Sequence, residues 1–208
     1  VEFPFDAIAA DELDRLQALH NPLTQAIREL IDTAIHTDAD EATVRDAQAA
    51  IEAVNRALGR TRRNGTRTLR QAETGLPVAW GNPVVGTRNP IAPPVLIHHE
   101  GGHCWSEFDL GVAYEGPPGW VHGGICALIL DHVLGEAVSE GLNKPYFTGT
   151  LTCRYRRGTP LGRVRVDADI ERTEGIKAFA RGTLSDAEGI TVEAEGVFVM
   201  PAWAREAR

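Results

Sequence analysis

The sequence predicts an α+β fold: one long apolar helix set among the strands of an antiparallel sheet, behind a helical N-terminal extension. Three observations carry this. Residues 123–140 form a nearly continuous apolar run bounded by glycines, Gly123-Gly124 at its start and Gly141 at its end. Before and after that run, apolar residues alternate with period two, the spacing of half-buried strands. Upstream of residue 72 the apolar spacing is instead three and four, the spacing of amphipathic helices.

The chain has 208 residues, 43% of them hydrophobic. That is enough for a sizeable core and argues against disorder. The formal net charge of -8 argues against general nucleic-acid binding. Cys104, Cys126 and Cys153 are odd in number and lack metal-type spacing. They read as free thiols in a reducing compartment, and the expected location is the cytoplasm. No apolar run reaches membrane-spanning length, and the first residues show no secretory-signal pattern. No cofactor and no metal are expected.

Residues 1–72 read as a helical extension. A first short helix covers Leu13, Leu16 and Leu19. A second starts at Asn21, a good N-cap, with Pro22 at the first helical position and a stripe of Leu23, Ile27, Leu30, Ile31 and Ile35. A third carries Val44, Ala47, Ile51, Val54 and Leu58 and stops near Gly59. These stripes must be covered by each other, by the rest of the chain, or by a second subunit. The arginine-rich stretch 60–70 suits phosphates, but a solvated linker is the favoured reading. Residues 73–94, rich in Gly and Pro, form a stiff irregular link.

Residues 95–208 form the sheet-and-helix unit. Strands are expected over 95–98, 104–110, 148–155, 164–170, 176–184 and 190–200, with turns at Gly101-Gly102, Glu174-Gly175 and 187–189. Within this unit His99-Glu100-Gly101-Gly102-His103 matches the zinc-protease pattern H-E-x-x-H. That chemistry needs both histidines on one helix face. Two central glycines, at about 1 kcal/mol each against alanine, and strand-like flanks make the match a hairpin turn.

The stretch 118–131 is the chemical centre. Between Ile125 and Leu134 only Asp131 and His132 are neither apolar nor small. A carboxylate in such a helix is either a structural acid bonded to backbone or a reactive group. Gly123 and Gly124 leave the first N–H groups of the helix open. These form either an anion site, suited to a carbonyl that gains negative charge, or a tight packing turn. His122 orients that turn. Eight residues of helix separate Gly123 from Asp131, a rise of roughly 12 Å. Reacting groups sit within about 3–3.5 Å, so one carbonyl reaches both only if they come from two copies of the chain. A two-fold dimer meets that demand.

At these residues the chain resembles the hotdog-fold acyl-CoA thioesterases, most closely the phenylacetate-degradation and 4-hydroxybenzoyl-CoA types. The resemblance rests on Pro118-Gly119-Trp120-Val121-His122-Gly123-Gly124 with Asp131 nine positions after His122. It is supported by residues 86–90 upstream and by Thr148 with Tyr155 seven residues later, and it covers roughly residues 87–200. It implies a five- or six-stranded sheet wrapped around the central helix, paired as a homodimer or a dimer of dimers. It implies hydrolysis of an acyl-CoA, with Gly123 polarising the thioester carbonyl. Asp131 of the partner then acts as base or nucleophile, and Thr148 places the acid or the water. Arg154, Arg156 and Arg157 become candidates for the CoA phosphates. Gly116-Pro117-Pro118 stand where some members carry an asparagine. A hotdog dehydratase is disfavoured, because Asp131 and His132 are neighbours about 100° apart on the helix. A non-catalytic acyl-CoA-binding module is the remaining alternative.

Overall fold

The computed structural model describes residues 5–62, 69–93, 95–141 and 144–205. Its larger sheet has six strands: β4 (His98–Glu100), β5 (His103–Leu110), β6 (Phe147–Tyr155), β7 (Gly162–Glu174), β8 (Lys177–Asp186) and β9 (Gly189–Val199). Their order across the sheet is β4-β5-β7-β8-β9-β6, and all pairings are antiparallel. The helix α3 (Gly123–Val138) lies against the concave face and touches β5 through β9. This is the hotdog arrangement. The remaining elements are β1 (Asp6–Ile8), α1 (Ala10–His36), α2 (Glu41–Gly59), β2 (Leu69–Gln71), β3 (Pro77–Val78), a 3-10 turn (Val112–Tyr114) and a last turn of helix, α4 (Ala202–Arg205).

Period-two alternation produces the wrap. On β7, Val164, Val166 and Ala168 are buried; on β8, Ala178, Ala180 and Leu184 are buried. They meet Ile129, Leu130, Val133 and Leu134 of α3, none of which is exposed. Small residues let the helix settle deep in the sheet. A Cβ on Gly182 would lie 2.6 Å from the Asp167 carbonyl oxygen and 3.3 Å from Leu134. No other residue fits there without moving backbone.

The N-terminal region departs from expectation in two ways. It is not wholly helical: β1 pairs in parallel with β2, and β2 with β3, in a separate three-stranded sheet. Ile8, Leu13 and Leu69 form its small core. Such short strands, the first of them paired across more than sixty residues of chain, leave no local periodicity to read. The break expected at Asn21 is also missing. α1 runs on through Pro22 as one helix of 27 residues. One missing N–H is tolerated because the face bearing Leu13 and Thr24 is packed on the body of the protein.

α2 is capped as its sequence suggests, with the Asp40 carboxylate accepting from the Thr43 N–H at 2.8 Å. None of its described residues is buried, and Val44, Ile51, Val54 and Leu58 lie open. Of the arginine-rich stretch, residues 63–68 lie outside the described residues. Arg70 is used structurally, donating to the Gly75 carbonyl at 2.9 Å and lying over the Phe5 ring.

Candidate active site

The loop before α3 is built to present its first turn. Glu115 bridges to Val121 and Trp120 to Pro160. Gly116 packs so closely on His122 that a Cβ there would sit 2.8 Å from the His122 Cα. Gly119 has φ +81°, a left-handed conformation that glycine adopts without strain, and its N–H reaches Glu115 at 2.7 Å. His122 is thereby fixed as the N-cap of α3. Its Nδ1 accepts from the Gly124 N–H at 3.0 Å.

That bond divides the two glycines. The Gly124 N–H is consumed by the His122 ring. Its amide therefore does not join an open anion site, contrary to the expectation that both glycines would. Among the described residues nothing accepts the Gly123 N–H. One free donor at the positive end of the helix dipole remains.

Asp131 lies two turns further along α3. It is half-buried rather than deep in the core, because it faces β6, the edge strand of the sheet. Thr148 of β6 donates its hydroxyl to Asp131 Oδ1 at 2.9 Å. Among the described residues nothing donates to the second carboxylate oxygen. Cys153 lies close enough that its thiol is held above the ordinary range, by burial and then by the Asp131 charge.

A β-bulge brings Thr148 to this position. Thr148 pairs with Phe198, but Thr150 pairs with Val197, so Gly149 is an extra residue. Leu151 and Cys153 turn toward the core. Plain alternation would send Thr148 to the opposite face. The extra glycine reverses the parity and returns it to the helix side.

The other end of β6 holds the other half of the site. The Tyr155 hydroxyl donates to the Gly123 carbonyl oxygen at 2.7 Å. Burial and then the neighbouring Cys153 and Cys126 keep that hydroxyl protonated above the ordinary tyrosine range. Tyr155 thus holds the Gly123–Gly124 peptide, the unit that follows the free Gly123 N–H. The sequence offered Tyr155 only as a spacing match, since a hydroxyl-to-carbonyl bond leaves no pattern. One strand therefore clamps both Gly123 and Asp131.

The three candidate phosphate arginines are all engaged. Arg156 forks onto Glu193 at 3.0 and 2.6 Å, and Arg157 onto Asp186 with one arm at 2.8 Å. Arg154, on β6 itself, is 3.5 Å from Glu195 and is the most loosely held. Asp131 and His132 diverge: His132 Nε2 is 3.1 Å from Glu136 Oε1, away from Thr148. The H-E-x-x-H letters form the β4–β5 hairpin, with positive φ at Gly101 and Gly102. His99 turns to Glu136, while His103 lies 3.2 Å from Asp167 and 3.0 Å from Asp169. Among the described residues no group of three or more His, Cys, Asp or Glu side chains is arranged to hold a metal ion. No helix among them is long and apolar enough to cross a membrane.

The thioesterase superfamily model matches residues 118–193, which contain the glycine turn, Asp131, Thr148 and Tyr155. Acyl-coenzyme A thioesterase THEM4 of Mus musculus is 35% identical over 98 residues, 45% of this chain and 41% of that protein. THEM4 of Xenopus laevis is 40% identical over 73 residues, 35% of this chain and 32% of that protein. The chain thus spans less than half the length of these relatives. The crystal structure of RHA08564, a thioesterase superfamily protein, aligns with a TM-score of 0.77 at 32% identity. That alignment covers 86% of this chain and 94% of the other, so the chain belongs to the thioesterase superfamily.

Proposed function

We propose that the protein hydrolyses an acyl-CoA thioester to the free acid and CoA, at a site shared by two copies of the chain. One observation carries the reading: one edge strand holds a free helix N-terminal N–H at Gly123 and a carboxylate at Asp131, separated by eight residues. The first suits a thioester oxygen that gains negative charge. The second suits activation of water or direct attack. Their roughly 12 Å separation along α3 asks for a second copy. β6 is an open edge strand, a natural seam for that copy.

In this reading Gly123 of one subunit polarises the carbonyl and Asp131 of the other delivers the nucleophile. Thr148 orients the carboxylate. His122 and Tyr155 hold the Gly123–Gly124 peptide that follows the Gly123 N–H, and Gly124 gives the His122 ring room to cap the helix. Arg154 is the arginine best placed to leave its acid for a CoA phosphate. Residues 95–208 form the catalytic unit, and residues 1–72 with the link 73–94 form its extension. The enzyme is assigned to acyl-lipid metabolism in the cytoplasm, as a homodimer or a dimer of dimers. The relatives named acyl-coenzyme A thioesterase support the substrate class.

The test is thiol release from a panel of acyl-CoAs, from acetyl to long-chain and aromatic. Wild type releases CoA from part of the panel, and Asp131→Asn retains its fold and loses that turnover. Tight binding of acyl-CoAs by wild type without any hydrolysis would establish a binding module instead.

A further inference from the structure

A large cavity lies away from the Asp131 face. It occupies about 690 Å³ between the N-terminal elements and the β4–β5 edge, at the C-terminal end of α3. Leu13, Leu76, Val78, Val85 and Ile97 make much of its wall apolar. This size and character suit a small apolar ligand. His99, Cys104 and Glu136 are among the polar residues on its wall.

These three are linked in series. His99 and Cys104 stand directly opposite each other across the hairpin. Cys104 Sγ lies 3.1 Å from His99 Nδ1, and His99 Nε2 lies 2.9 Å from Glu136 Oε2. The other Glu136 oxygen takes His132 Nε2 at 3.1 Å. Glu136 is 7% exposed and satisfied on both oxygens. A carboxylate that accepts from Nε2 fixes the ring with Nδ1 free to take a proton. The order thiol, imidazole, carboxylate is that of an activated cysteine nucleophile. The thioester-hydrolysis reading uses none of these groups.

We propose that Cys104, with His99 as base and Glu136 and His132 as positioning residues, is a second nucleophilic centre that accepts acyl groups from activated apolar esters or thioesters entering this cavity. The Cys104 sulfur attacks the carbonyl carbon, and a sulfur–carbon bond forms. The bond from that carbon to the leaving oxygen or sulfur breaks. The thiol proton passes to His99 Nδ1 and then to the leaving group, so the products are an acyl-cysteine and a free alcohol or thiol. Burial, then the charges of Glu136 and Asp169, push the Cys104 thiol up to about 12. The resting group is therefore S–H, and attack depends on transfer to His99. The centre does not rest on the acyl-CoA reading, because it shares no residue with the Asp131 site.

The full chain is incubated with p-nitrophenyl butyrate, quenched in acid and mapped by mass spectrometry. The expected result is a butyryl thioester on Cys104, formed about tenfold or more faster than on the more exposed Cys153. Asp131→Asn gives the same adduct at the same rate, which separates this centre from the proposed hydrolase site. His99→Ala slows the adduct about tenfold or more, and added imidazole restores it. Glu136→Ala slows it too, and abolishes the Nε2-protonated His99 tautomer in ¹⁵N NMR spectra. Circular dichroism confirms that each variant is folded. Wild-type protein without an adduct on Cys104, or an adduct whose rate ignores His99, overturns the proposal and leaves the cluster a packing network.

Discussion

Thr148 meets Asp131 because Gly149 is one residue too many for its strand. The hydroxyl donates to Asp131 Oδ1 at 2.9 Å from a position that plain alternation would turn to the opposite face. If that bond orients the carboxylate, Thr148→Ala lowers kcat without lowering stability much. A hydrogen bond to a charged group is worth about 1.5 kcal/mol here, roughly a tenfold loss of rate. Steady-state thiol release against thermal unfolding separates the two effects.

The bulge makes a sharper prediction. Deleting Gly149 restores simple alternation while the remaining β6–β9 pairs persist. Thr148 then turns away, and kcat falls at least as far as in Thr148→Ala, about tenfold. Wild-type turnover in the deletion variant would mean that Thr148 does not serve Asp131.

The two-subunit site is tested by complementation. Gly123→Pro removes the free N–H, and proline suits the first position of a helix. His122, with φ -60° and ψ 131°, already has the extended conformation that a residue before proline requires. The expected loss is about a hundredfold or more in kcat, the scale for one oxyanion donor. Asp131→Asn is inactive by the other route. Mixed and re-associated in equal amounts, the two variants form heterodimers with one intact site, and activity returns to about a quarter of wild type. No recovery places both groups' partners within one chain and ends the shared-site mechanism.

Acid stability has a defined source at the β8–β9 turn. The Asp186 side chain is 7% exposed, takes the Arg157 fork and accepts the Glu188 N–H at 2.8 Å. These contacts hold its carboxyl below the ordinary value of 3.8, with the Arg157 hydrogen bond the largest cause. A depressed carboxylate contributes stability above its unfolded pKa and loses it as pH falls through the folded value. Asp186→Asn therefore lowers the melting temperature at pH 7 by the equivalent of about 1.5–3 kcal/mol. The gap from wild type closes as pH falls below 3.8. A gap that persists in acid would assign the loss to packing.

The sheet and its helix were legible in the chain because both are periodic. Alternating apolar residues gave the core strands, and the apolar run from Gly123 gave α3 to within a few residues. The N-terminal strands were not legible, because each is two or three residues long and β1 meets β2 across more than sixty residues of chain. Local composition carries no mark of such a contact. The single N-terminal helix was misread as two at Pro22, where packing outweighs one lost hydrogen bond.

The types and spacing of the site residues can be read along the chain: a glycine pair opening an apolar helix, a carboxylate eight residues on, and a threonine beyond. Spacing along a helix is a property of the chain, so the roughly 12 Å gap followed at once. Which of those groups are free depends on how the sheet packs around the helix. The fold gave the Gly124 N–H to His122 and left that of Gly123 open. It turned Thr148 inward through a bulge, set Tyr155 on the Gly123 carbonyl, and closed Arg156 and Arg157 onto acids. It also joined Cys104, His99 and Glu136, which the sequence scattered over a hairpin and a helix. Hydrogen-bond partners are fixed by distances between elements, and those distances exist only once the sheet has wrapped the helix.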